Sequence, residues 1–152
     1  MKQAKIGPPT QILLADDDES DRLIFKLAFE EMKFPTNIEF VNNGVELMNY
    51  LNQPDVKLPQ LLFLDLNMPR KNGLECLKEI KEKKDFADIL IAIYSTSTSD
   101  KDLEETFYRG ANIYIQKPSD FNVLKQTLEK AVQTTIYYLN PPFNISNFLL
   151  KI

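Results

Sequence analysis

Four short apolar runs in this chain each end in polar residues that can do chemistry, and that recurrence limits the folds open to it. Ile12-Leu13-Leu14-Ala15 leads into Asp16-Asp17-Asp18, and Leu61-Leu62-Phe63-Leu64 leads into Asp65. The run from Ile89 to Tyr94 reaches Ser95-Thr96, and Ile113-Tyr114-Ile115 arrives at Lys117-Pro118. Apolar runs of this length read as strands buried on both faces of a parallel sheet. Ligands of open α/β sheets bind beyond the carboxyl ends of the strands. Acidic side chains, a hydroxyl and an ammonium are therefore expected to meet at one edge.

Between the runs lie helical patterns, so strand and helix alternate five times. Strand one is expected over Gln11 to Ala15. Ser20 or Asp21 is expected to cap a helix reaching Lys33, with Leu23, Ile24, Leu27, Ala28 and Met32 facing inward. Phe25 and Phe29 would then widen its apolar surface towards a partner. Ile38-Glu39-Phe40-Val41 alternates as a second strand, and Val45, Leu47, Met48 and Leu51 follow at helical spacing. Leu74, Leu77 and Ile80 mark a third helix after Gly73. Ser99 or Asp100 starts a fourth, which Gly110 closes. Ser119 or Asp120 caps a fifth through Phe121, Leu124, Leu128 and Val132. Such alternation requires a parallel sheet covered on both faces.

The 152 residues favour one domain, and 43% hydrophobic content suffices for a core. No apolar run nears the roughly 18 residues of a membrane helix, and Met1 to Thr10 reads as a polar tail rather than a signal peptide. A net charge of −4 argues against non-specific nucleic-acid binding. The single cysteine, Cys76, excludes an intrachain disulfide, fits a reducing cytoplasm, and reads as a core side chain. With no histidine, Ser-His-Asp and Cys-His catalysis and histidine-zinc sites are excluded. The four glycines are too scattered for a phosphate-cradling loop.

Gathered carboxylates need a counter-charge. Two of them about 5 Å apart repel by roughly 3 kcal/mol at an effective dielectric near 20. A hard divalent cation relieves this, and Mg²⁺ takes one or two carboxylates with waters and phosphate. Such a site suits phosphoryl transfer to a carboxylate nucleophile, with Lys117 the ammonium available at a strand end.

In order along the chain, these marks resemble the receiver domain of two-component response regulators. Asp16 and Asp17 resemble its acidic pair. Asp65-Leu66-Asn67-Met68-Pro69 with Gly73 resembles its phosphoacceptor segment. Ser95 takes the place of its strand-four hydroxyl, Tyr114 of its aromatic switch residue, and Lys117-Pro118 of its Lys-Pro pair. The likeness covers Ile12 to about Thr134, and the acidic loop with Asp21 is most similar to the small regulators of cyanobacterial phytochromes. It implies a flavodoxin-like, doubly wound five-stranded sheet of order 2-1-3-4-5. It also implies Asp65 as phosphoacceptor, with Ser95 and Lys117 binding the phosphoryl group. Asp16, Asp17, Asp65 and the backbone carbonyl of Asn67 would hold Mg²⁺.

The implied protein is a cytoplasmic, non-enzymatic receiver occupying residues 11–138. A histidine kinase or phosphotransfer domain would phosphorylate it, and it would signal through a downstream protein target or relay the phosphoryl group. Ser95 and Tyr114 would switch together, the ring turning inward on phosphorylation. Residues 139–152, too apolar for a free tail, would pack back on the domain or cover a second subunit in a homodimer, and leave no room for an output domain. Two alternatives are a degenerate receiver that only docks or dimerises, and a phosphohydrolase of the haloacid-dehalogenase type. The latter wants a second Asp two residues after the nucleophile, where this chain has Asn67.

Overall fold

The computed structural model describes residues 9–137 and 145–151; the expected polar tail lies almost wholly outside them, as does Phe143. Five parallel strands form one sheet in the order β2-β1-β3-β4-β5: β1 Thr10–Ala15, β2 Thr36–Val41, β3 Leu61–Leu64, β4 Leu90–Ser95 and β5 Ile113–Gln116. The reversal of winding falls between β1 and β3, where Ala15 pairs with Leu64, and this places the ends of both acidic runs side by side. The sequence-based expectation for the fold holds.

Alternate side chains divide the sheet into two cores. Leu13, Leu62, Leu64, Ile91 and Ile93 point to one face, against Leu47, Leu51, Leu77 and Ile80 of α2 (Gly44–Leu51) and α3 (Gly73–Lys81). Ile12, Leu14, Phe63, Ala92 and Ile113 point to the other, against Phe25 and Phe29 of α1 (Glu19–Glu30) and Leu124 and Leu128 of α5 (Phe121–Val132). On this second face Phe25 stacks edge-on against Phe63 at 5.0 Å, an arrangement favoured by the ring quadrupoles. The fourth helix, α4, is Asp100–Tyr108; a short helix, α6, is Ile145–Phe148.

Local signals set the helix starts. Asp18, Asn43, Asn72, Ser99 and Asp120 each accept a backbone N–H three residues on, so each offsets an orphan donor of a first turn. At Asn72, Glu75 reciprocates to complete a capping box. Gly110 ends α4 at φ 99°, a left-handed cap that a side chain would strain.

Helix α1 corrects the expectation. It begins at Glu19 under Asp18, not under Ser20 or Asp21, and ends at Glu30. Phe25 and Phe29 are its buried residues, with Ala28, while Leu23, Ile24 and Leu27 lie 57%, 40% and 43% exposed. Positions 25, 28, 29 and 32 form as good a helical stripe as 23, 24, 27 and 28. The stripe with two phenylalanines wins because each ring buries more apolar area. Neither Phe25 nor Phe29 is available to a partner.

Candidate functional site

Strand geometry delivers the site. Asp16 follows the last residue of β1 and is fully buried; Asp65 follows β3 and is 5% exposed. Their backbones are tied, Asp65 N–H donating to the Ala15 carbonyl at 3.0 Å. Asp17 is exposed. One carboxylate oxygen from each of Asp16, Asp17 and Asp65 lies within 4.8 Å of the others, the three acids that the family resemblance singles out. Lys117 comes from the end of β5, its N–H donating to the Ser95 carbonyl at 2.9 Å.

The Lys117 ammonium is the hub. Its Nζ lies 2.8 Å from Asp16 Oδ2, 2.9 Å from Asp21 Oδ2 and 3.2 Å from Asp65 Oδ2. The contacts with Asp21 and Asp65 are hydrogen bonds. That with Asp16 has the distance of an ion pair, yet Asp16 Oδ2 is a buried oxygen left without a hydrogen-bond partner. Burial alone would depress the Lys117 ammonium; its close contacts with Asp16 and Asp21 and the charge of Asp65 outweigh it and hold the pKa above the usual lysine value. Nζ also sits 5.2 Å from the Tyr94 ring centroid.

Asp65 is the perturbed acid. Burial pushes its carboxyl up to about 6; the nearby Lys117 charge opposes this, Asp16 adds to it, and the N–H of Asn67, donating to Oδ1 at 3.2 Å, opposes it again. A perturbed carboxyl at a sheet edge is a functional-site signal. The buried Asp16 oxygen, ion-paired but without a hydrogen bond, and the surplus of carboxylates over one ammonium fit a hard divalent cation held by oxygen ligands.

Asp21 is the residue that sequence reasoning missed. The sequence offers it as a capping residue beside Ser20 and as part of the acidic loop, but Asp18 caps α1 and Asp21 pairs with a lysine 96 positions away. Arg22, also unsingled, donates from Nη1 to the Asp16 carbonyl at 2.8 Å and braces the acidic loop. Cys76 on α3 is fully buried, with its thiol pushed up to about 12 by burial.

Gly73 lets α3 close on this edge. A Cβ there would lie 2.2 Å from the Asp65 carbonyl oxygen and 2.8 Å from Leu66 Cα. Gly73→Ala is expected to destabilise the fold by about 1–3 kcal/mol, the usual cost of overpacking, read in urea melts.

Ser95 is fully buried, and its Oγ accepts the Ser97 N–H at 3.2 Å. The Tyr114 hydroxyl donates to the Ser97 carbonyl at 2.7 Å, and Ser97 Oγ donates to Asp102 Oδ2 at 2.7 Å. The ring of Tyr114 is 0% exposed. The expectation that it turns inward on phosphorylation needs correcting: it already lies inside, covered by Phe148, at 5.9 Å between centroids.

A doubly wound sheet of this order with an acidic edge has the architecture of a receiver domain. The chain belongs to the response regulator receiver domain family, which it matches over residues 12–129; members of that family act in two-component signalling and are phosphorylated on an aspartate. The chain is 34% identical over 125 residues to "Probable methanogenesis regulatory protein FilR2" of Methanothrix harundinacea, covering 80% of this chain and 81% of that one. It is 29% identical over 115 residues to response regulator Rcp1 of a Synechocystis species, covering 73% and 78%. It also superposes on the phosphorylated cyanobacterial phytochrome response regulator RcpA with a TM-score of 0.78 at 28% identity, covering 90% of this chain and all of that one. Among the described residues, no helix is long and apolar enough to cross a membrane.

Proposed function

We propose that this protein is a phosphoryl-accepting signalling receiver in which Asp65 is the acceptor. It would take the group from a histidine kinase or a phosphotransfer domain, then act by binding a protein target or passing the group on. The observation that carries this reading is the buried Asp65 carboxylate on the Lys117 ammonium, within 4.8 Å of Asp16 and Asp17 oxygens. The likeness to phosphorylated RcpA supports it.

With a pKa of about 6, Asp65 is largely ionised at neutral pH and offers an oxygen nucleophile. That oxygen forms the new O–P bond as the P–N bond to the donor imidazole breaks, and the imidazole leaves with the bonding electron pair. Lys117 exchanges its Asp65 contact for a phosphoryl oxygen. Asp16, Asp17, Asp65 and the Asn67 carbonyl would hold Mg²⁺. When bound, Mg²⁺ supplies charge neutralisation at the phosphoryl oxygens.

Phosphorylation adds charge and three acceptor oxygens beside β4. Ser95 Oγ then turns to a phosphoryl oxygen and gives up the Ser97 N–H. Ser97 carries the change to Tyr114, whose hydroxyl it accepts, and to Asp102 on α4. The two arrangements form a two-state element that the phosphoryl group biases. Incubation with acetyl phosphate and Mg²⁺ should add one phosphoryl group to the intact mass, and EDTA should abolish the gain. A mass gain that is unchanged in EDTA would refute the metal-dependent mechanism.

A further inference from the structure

Asp16, Asp17 and Asp65 form the group of carboxylates whose oxygens could share one cation, and that group leaves Asp21 out. The Asp21 side chain meets the site through Lys117, whose Nζ donates to Asp21 Oδ2 at 2.9 Å. The first turn of α1 sets it there, with the Asp21 N–H donating to the capping Asp18 Oδ1 at 2.9 Å. Its side chain is 37% exposed, against 10% for that of Lys117. An acid that served only the positive end of a helix would need no lysine 96 positions away.

An ammonium has three hydrogens to donate. Lys117 Nζ has three carboxylate oxygens around it, from Asp16, Asp21 and Asp65, all within 3.2 Å. Phosphorylation would change two of these contacts. Asp65 loses its charge to the new O–P bond, and Asp16 is drawn to the cation. Asp21 changes in neither way. It keeps a full negative charge and a hydrogen bond on the ammonium when the phosphoryl oxygens need both.

Resting on the reading of Asp65 as acceptor, we propose that Asp21 is a positioning residue: it holds the Lys117 ammonium towards α1 and so limits how tightly the site retains a phosphoryl group. The hydrogen and the share of charge that Asp21 takes are withheld from the phosphoryl oxygens. The acid also repels a group of its own sign. It does both without touching the acceptor oxygen or the cation's ligands, so its removal leaves the phosphoryl-transfer machinery whole.

The probe is beryllofluoride, a phosphoryl mimic that binds a carboxylate oxygen. It is titrated at saturating Mg²⁺ into the full chain and its Asp21→Asn and Asp21→Ala variants, with bound fluoride measured by fluorine NMR. Both variants should bind it about three- to tenfold more tightly than the parent, the effect expected of one partly exposed charge. Urea melts without the probe should show the variants no more stable than the parent, since an ion pair and a helix-start charge are lost. A merely structural acid would move affinity and stability down together. The gain should persist in about 1 M KCl, where the screening length is about 3 Å and repulsion across the site fades while the short contact with Lys117 does not. Equal binding by parent and variants would overturn the proposal. So would weaker binding by the variants, which would make Asp21 an anchor that the ammonium needs. A gain lost in about 1 M KCl would overturn the role through Lys117 and leave repulsion alone. No bound fluoride in any of the three, or an Asp65→Asn chain that binds it as the parent does, would overturn the acceptor reading and this proposal with it.

Discussion

Replacing Lys117 with methionine is expected to destabilise the protein by about 3–5 kcal/mol at neutral pH, the usual cost of leaving buried charges without their partner. The side chain is 10% exposed and faces two carboxylates that are 0% and 7% exposed. The sign with pH follows from the shifts. Lys117 is held above its ordinary value, so its contribution is complete throughout the neutral range and is lost only as pH climbs through its folded pKa, beyond the ordinary lysine value. In the variant, Asp65 loses the charge that now lowers its pKa, so its carboxyl titrates above about 6. Urea melts give the first number and a carboxyl titration by NMR the second. A variant as stable as the parent, with Asp65 unmoved, would mean that the ammonium is not the counter-charge.

The opposite effect is expected from Asp65→Asn in metal-free solution. Burial raises this carboxyl from 3.8 to about 6, and a carboxyl raised on folding costs stability when ionised. The cost is absent below about pH 4, grows between pH 4 and 6, and is full above pH 6. At 1.36 kcal/mol per pKa unit, about 3 kcal/mol is at stake. Asp65→Asn should therefore be more stable than the parent by up to that amount at pH 7–8, with the gap closing towards pH 4. Mg²⁺ at saturating concentration should narrow the gap by stabilising the parent, because a ligand that binds only the folded state raises its stability by mass action. A gap that does not change between pH 4 and 8 would contradict the buried, raised carboxyl.

The parallel sheet and its acidic edge were legible because parallel strands are buried on both faces and so leave unbroken apolar runs; the strand order came from the family resemblance. Each run stops where the chain turns polar, and in this topology those stops share one edge. Asp65 and Lys117 could be picked out on that basis, the family resemblance chose Asp16 and Asp17 from the three acids after β1, and all four converge. The inner face of α1 was not legible, since two overlapping stripes satisfy the helical period and only packing against Phe63 and Tyr94 chooses between them. The pairing of Asp21 with Lys117 has no local signature, because it joins the first turn of α1 to the end of β5. The depth of Tyr114 was hidden for a similar reason: what covers it is Phe148, 34 positions later, and the strand's own alternation says nothing about that ring.

The most direct test of the account is to locate the phosphoryl group. After incubation with acetyl phosphate and Mg²⁺, reduction with borohydride converts an aspartyl phosphate to homoserine, which peptide mass mapping places in the chain. The account predicts conversion of Asp65, absent in the Asp65→Asn variant. Conversion at another acidic residue, or none at all with no release of inorganic phosphate, would contradict it.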